Sequence, residues 1–129
     1  MEGATPARRG GLVKRRLFDA SRYSLQGLRA CFRHEEAFRT ELGIALVLTP
    51  LAFLGARTAL DLVLLLGVMV LVLIVELLNS AVESVVDLHG SERHELAGRA
   101  KDQGWGAVLL SRALGVVVGG GILWARFAT

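Results

Sequence analysis

Residues 62–75, LVLLLGVMVLVLIV, are apolar throughout and run straight into ELLNSAVESVVDL with no breaker between the two stretches. This junction constrains the chain more than any other feature. A helix apolar on every face must be buried in a large core or in a membrane, and a chain of 129 residues has no large core to offer. The pattern therefore predicts one helix over about 60–88 that crosses a bilayer and ends in a polar stretch.

Two further segments have the same character. Residues 37–55, AFRTELGIALVLTPLAFLG, are uninterruptedly apolar only from Leu42. They reach spanning length as a helix over about 36–55 if Arg39 and Glu41 extend toward water. Pro50 is tolerable there as a kink, because membrane helices re-satisfy the backbone group it frees. The third helix is expected over about 97–128, with an apolar part at 104–127 and Trp105 and Trp124 near its two ends, where interfacial aromatics belong. Its triplet Gly119–Gly121 would weaken a soluble helix but permits close packing in a membrane. Residues 56–61 read as a short turn and 89–96 as a polar connection with a turn signal at Gly90.

The remainder is basic. Of 15 Lys and Arg residues, 8 fall in the first 34 positions. Residues 1–14, with Gly3, Pro6, Gly10 and Gly11, read as a flexible basic tail lacking the apolar centre of a secretory signal. Residues 15–33 interleave Leu17, Phe18, Tyr23, Leu25, Leu28 and Phe32 with arginines. That segment is too polar to span and suits an amphipathic surface helix, with Gly27 as a point of bending. A net charge of +3 and a pI near 9.8 are explained by the membrane, so no nucleic-acid partner is expected. The single cysteine, Cys31, excludes an intrachain disulfide and reads as a helical spacer.

The expected fold is thus an all-α membrane protein, with one N-terminal amphipathic surface helix and three transmembrane helices in a single domain over 15–129. Mean hydropathy of +0.49 alongside 21% charged residues fits such segregation. Basic loops lie inside, so the N-terminus is expected in the cytoplasm. The loop around Arg57 then lies outside, the 89–96 connection inside and the C-terminus outside. Glu35, Glu36 and Glu41, the end of the second spanning helix and the start of the third would all meet in one cytoplasmic layer.

Glu76, Asn79, Ser80, Glu83 and Asp87 form a single stripe at offsets 0, +3, +4, +7 and +11. A carboxylate directly after the apolar run is costly and must face protein, water or a partner, so Glu76 is a functional candidate. Glu76 suits a general base, Glu83 a cation ligand nearer the water, and Lys101 a neutraliser of phosphate charge, which are the parts phosphoryl transfer needs. Intramembrane acids more commonly serve ion or proton pathways or join helices. On spacing alone, transport stays ahead of kinase activity, and both stay open. No GxxxxGK[ST] or GxGxxG motif is present. His34, His89 and His94 lack metal-ligand spacing, and Ser80 and Ser91 lack the arrangement of a hydrolase triad.

The segments EAFRTE (36–41), IVELLNSAVESVVD (74–87) and SERHELAGRAKD (91–102), together with YSLQGLRA (23–30), resemble the prokaryotic diacylglycerol kinase family over roughly residues 16–125. The ExxNSAxE and GRAKD motifs at matching spacing are highly specific. The resemblance implies a homotrimer in the bacterial inner membrane, with active sites shared between neighbouring protomers at the cytoplasmic face. It implies Mg-ATP as donor and diacylglycerol as acceptor. Carried over by motif, Glu76 is the catalytic base, supported by Asn79, and Glu35 and Glu83 hold the metal and meet the nucleotide. Arg16, Tyr23, Glu92, His94, Lys101 and Asp102 are the further nucleotide contacts. Arg29, Phe38, Glu41 and Trp105 join Glu76 in positioning the lipid.

The undecaprenol kinase branch shares the catalytic residues, but HELAGRAKD looks more like the diacylglycerol branch. The competing class, a small multidrug or ion exporter, usually has four spans and no clustered cytoplasmic acids. Three features depart from the resemblance. Leu25 and Phe32 stand where tryptophan is frequent, the N-terminal tail is several residues longer, and Arg112 lies within the third apolar segment. Arg112 is expected either to face an acidic group in the trimer interior or to snorkel.

Overall fold

The computed structural model describes residues 6–88 and 95–128, and these hold four helices. Helix α1 (Pro6–His34) belongs to one compact unit, and residues from Glu35 onward form the other. Within its own unit, α1 is one continuous helix. It begins earlier than the start expected near residue 15, and neither Gly10, Gly11 nor Gly27 interrupts it. Pro6 takes the first helical position, where its fixed φ fits and its missing N–H costs nothing. Leu17, Phe18, Leu25 and Phe32 are all at least half exposed, leaving the apolar face available to a lipid surface.

The second unit contains α2 (Glu36–Gly55), α3 (Ala59–Leu88) and α4 (Glu95–Phe127). All three are long and apolar enough to cross a membrane, and their bounds lie within two residues of those expected. Pro50 sits inside α2 without ending it. Between α2 and α3 the chain turns over residues 56–58, and local bonds shape the turn. The Ala56 N–H donates to the Ala52 carbonyl, closing α2. The Asp61 N–H donates to Thr58 Oγ1 at 3.1 Å and the Leu62 N–H to the Thr58 carbonyl, opening α3. The Asp61 carboxylate in turn accepts from the Arg57 N–H.

Helix α3 is central. Both α2 and α4 pack closely against it, whereas among the described residues the backbones of α2 and α4 stay apart and long arginine side chains reach between them. Burial is confined to a few positions: Val72, Glu76 and Asn79 of α3, Phe38 and Ala52 of α2, and Val108 and Ser111 of α4, which make a thin core. Most large apolar side chains, such as Leu54 and Val116, remain outside it. In water such a surface would aggregate; against lipid it is already solvated.

The far end of the bundle is closed by reciprocal arginine contacts. Arg126 Nη1 donates to the Gly55 carbonyl at 2.7 Å, and Arg57 Nη2 donates to the Arg126 carbonyl at 2.9 Å. Each guanidinium meets a carbonyl left over at a helix C-terminus, where positive charge is favoured.

Candidate active site

Helix length decides where the polar stripe sits. At ~1.5 Å per residue, Glu76 lies ~26 Å along α3 from Ala59, near the far edge of a ~30 Å hydrocarbon layer. The stripe beyond it continues toward the interface. α4 starts at that same end and runs back antiparallel, so its first turns face the stripe.

Glu76 is 2% exposed. Its Oε1 accepts from Arg112 Nη2 of α4 at 2.7 Å, and the Nε of the same guanidinium lies 2.7 Å from Glu41 Oε1 of α2. One arginine therefore ties together carboxylates from two other helices. This resolves the position of Arg112: its acidic partners belong to its own chain, and it does not snorkel away from them. A guanidinium presents separate N–H edges in one rigid plane, which lets it bridge two acids where a lysine would meet them as a point charge.

One turn further along, Asn79 is buried and donates through Nδ2 to Glu83 Oε1 at 3.4 Å. Its amide thus holds Glu83, and no bond joins it to Glu76. Asn79 Oδ1 is buried with no hydrogen-bond partner, an unused acceptor in the middle of the stripe. Gly104 of α4 packs directly on this oxygen; a Cβ there would collide with Oδ1 and approach Cγ to 3.2 Å. Ser80 turns back into its own helix, its Oγ donating to the Glu76 carbonyl. At the outer end, Lys101 Nζ pairs with Asp87 Oδ1 at 2.8 Å, the lysine partly and the aspartate largely exposed.

Glu35 precedes α2 in extended conformation (φ −114, ψ 109), and its side chain makes no capping hydrogen bond. It stands at the end of the α2–α3 hairpin that also carries Glu83. Magnesium takes one or two carboxylates plus phosphate oxygens. The Glu35 and Glu83 carboxylates are hard donors of that kind, while the Asn79 oxygen is covered by Gly104. Among the described residues no group of three or more His, Cys, Asp or Glu side chains converges into a ready-made metal cage.

Of the other expected site residues, Asp102 and Trp105 lie on exposed positions of α4, and Phe38 is buried on α2. Arg16, Tyr23 and Arg29 lie on α1, where Tyr23 carries the Arg22 guanidinium over its ring at 5.4 Å. Glu92 and His94 fall outside the described residues. Sequence reasoning missed Gly104, Asp87 as the partner of Lys101, and the bridging role of Arg112. Only Arg112 carried a signal, as a charge inside an apolar run.

A groove of about 590 Å³ opens between α2 and α4 with α3 as its floor. Leu48, Ala52, Met69, Val72, Gly115 and Ile122 give it apolar walls, and it runs from Glu41 and Arg112 at one end to Arg126 at the other.

Comparison with known proteins closes the choice that spacing left open. The profile described as prokaryotic diacylglycerol kinase matches residues 22–123. The diacylglycerol kinase of Haemophilus influenzae is 48% identical over 108 residues, covering 84% of this chain and 92% of that protein. That of Escherichia coli K12 is 46% identical over 112 residues, covering 87% and 92%. That of Pseudomonas aeruginosa is 43% identical over 111 residues, covering 86% of each. The transport reading lapses with these matches. A three-span bundle carrying an acid stripe at one end, matched by this profile over most of its length, belongs to the prokaryotic diacylglycerol kinase family.

Proposed function

We propose that this membrane kinase transfers the γ-phosphoryl group of ATP directly to the free hydroxyl of diacylglycerol, with Glu76 as general base. The observation that carries the reading is the setting of Glu76. It is a nearly fully buried carboxylate at the depth where the apolar part of α3 ends, one turn from Asn79 and two from Glu83. A lipid hydroxyl reaches that depth from the bilayer, and a nucleotide reaches it from the water. The groove between α2 and α4 has walls suited to an acyl chain and ends on the Glu41–Arg112 pair.

In the reaction the lipid oxygen forms a bond to the γ-phosphorus as the bond from that phosphorus to the β,γ-bridging oxygen breaks. ADP leaves, and the hydroxyl proton passes to Glu76. Arg112 engages Oε1 of Glu76, so Oε2 is the oxygen that takes the proton. Lys101, beside Asp87, is placed to meet phosphate charge arriving from the polar end. Glu35 and Glu83 would hold magnesium together with the nucleotide, where the ion neutralises phosphate charge. Asn79 fixes Glu83 through its amide. The basic N-terminal segment supports a cytoplasmic position for this end of the bundle. The assembly proposed is a homotrimer, on the strength of the family resemblance.

The test is phosphate transfer from labelled ATP in detergent–lipid micelles, with diacylglycerol and undecaprenol offered in parallel. Labelled phosphatidic acid that disappears in a folded Glu76→Gln variant is the expected result. Label on undecaprenol alone would keep the mechanism and change the acceptor. Substantial activity in Glu76→Gln would remove Glu76 from the role of base.

A further inference from the structure

Arg112 occupies an apolar stretch, AVLLSRALGVVV, where an unpaired charge would be expensive. Its two partners are the carboxylate assigned here as the base and the one expected to help position the lipid. They come from different helices, at 2.7 Å each, and they use different nitrogens of the one guanidinium. About 44% of the Arg112 side chain remains exposed, and it forms part of the groove lining beside Glu41.

Three consequences follow from this geometry. The Glu76 carboxyl cannot rotate freely, because Oε1 is held; its second oxygen therefore has a defined direction. Glu41 cannot swing out of the groove without giving up Arg112. The charge balance also suits proton transfer. Two carboxylates and one guanidinium sum to −1, and when Glu76 accepts the hydroxyl proton the trio becomes neutral. Arg112 is then still paired, because Glu41 retains it, so no step leaves an orphaned charge in the apolar layer.

We propose that Arg112 is a positioning residue of the phosphoryl transfer: it lines the polar end of the groove with Glu41, which it holds through Nε, and it fixes the buried Glu76 through Oε1, so that the remaining Glu76 oxygen keeps one orientation for the lipid hydroxyl. The proposal rests on the reading of Glu76 as base. It makes Arg112 necessary for the orientation of that base and leaves nucleotide binding to other residues.

The experiment is steady-state kinetics of the full chain in lipid micelles, varying ATP and diacylglycerol, for Arg112→Leu, Arg112→Lys and Glu76→Gln, with thermal unfolding followed in parallel. Arg112→Leu is expected to lose roughly tenfold or more in kcat with KM for ATP unchanged. Arg112→Lys should regain part of that kcat, since an ammonium restores charge but not the two-edged bridge. A folded Arg112→Leu protein with wild-type kcat would overturn the proposal. So would arginine variants whose kcat falls and recovers only in step with their thermal stability, which is the behaviour of a purely structural brace. If Arg112→Leu does not fold, Arg112→Lys decides alone: reduced kcat at unchanged KM for ATP supports the proposal, and wild-type kcat overturns it. Activity retained by Glu76→Gln would instead sink the assignment of the base, whatever the arginine variants do.

Discussion

Gly104 of α4 lies so close to Asn79 of α3 that no side chain fits between them: a Cβ at Gly104 would collide with the Asn79 Oδ1 atom. This contact brings the two helices together beside Glu83, and it keeps Asn79 in place although its oxygen has no partner. Gly104→Ala is therefore expected to displace Asn79 or separate the helices. Overpacking of this kind typically costs about 1–3 kcal/mol. Gly106→Ala is the control, because a Cβ there meets nothing within 4 Å. Thermal unfolding and kinase assays of both variants check this, and equal behaviour of the two would contradict it.

Lys101 and Asp87 make a short but exposed ion pair, so the pair adds little to stability. Its expected value lies in nucleotide binding. Lys101→Met should leave the unfolding temperature unchanged while raising KM for ATP by roughly tenfold, the scale of one lost charge-assisted hydrogen bond. An unchanged KM would remove Lys101 from the nucleotide site.

Thr58 caps α3 at the end remote from the stripe, its hydroxyl accepting from the Asp61 N–H. Thr58→Ala should cost about 1 kcal/mol of stability, as loss of such a cap usually does. Kinetic constants should not move. A matched fall in kcat would mean that the turn end of the hairpin couples to the chemistry.

Magnesium chelation should abolish phosphate transfer while circular dichroism still reports a helical protein, and added magnesium should restore activity. Glu83→Gln should raise the magnesium concentration for half-maximal rate by roughly tenfold or more. A wild-type magnesium dependence in that variant would take Glu83 out of the metal site.

Much of this was legible in the sequence because it depends on local properties. An apolar run with no breaker can only be a spanning helix, and α2, α3 and α4 appear where hydropathy put them. The stripe from Glu76 to Asp87 follows from helical periodicity alone. The start of α1 was less legible, since a glycine-containing basic stretch has no strong local preference and Pro6 admits either a helix or a tail.

Contacts between helices were not legible, because spacing along one helix says nothing about which residue of another will face it. Arg112 was visible as an anomaly in an apolar segment, but its choice of Glu41 and Glu76 depended on the antiparallel register of α4 on α3 and on the approach of α2. Gly104 looked like one small residue among several until the packing placed Asn79 against it. Patterning along the chain determined the helices, their polar ends and the candidate base, since hydrophobicity and periodicity act residue by residue. Tertiary structure alone decided which charges meet and which glycine is obligatory, since short-range electrostatics and steric exclusion act only between atoms that the fold has brought together.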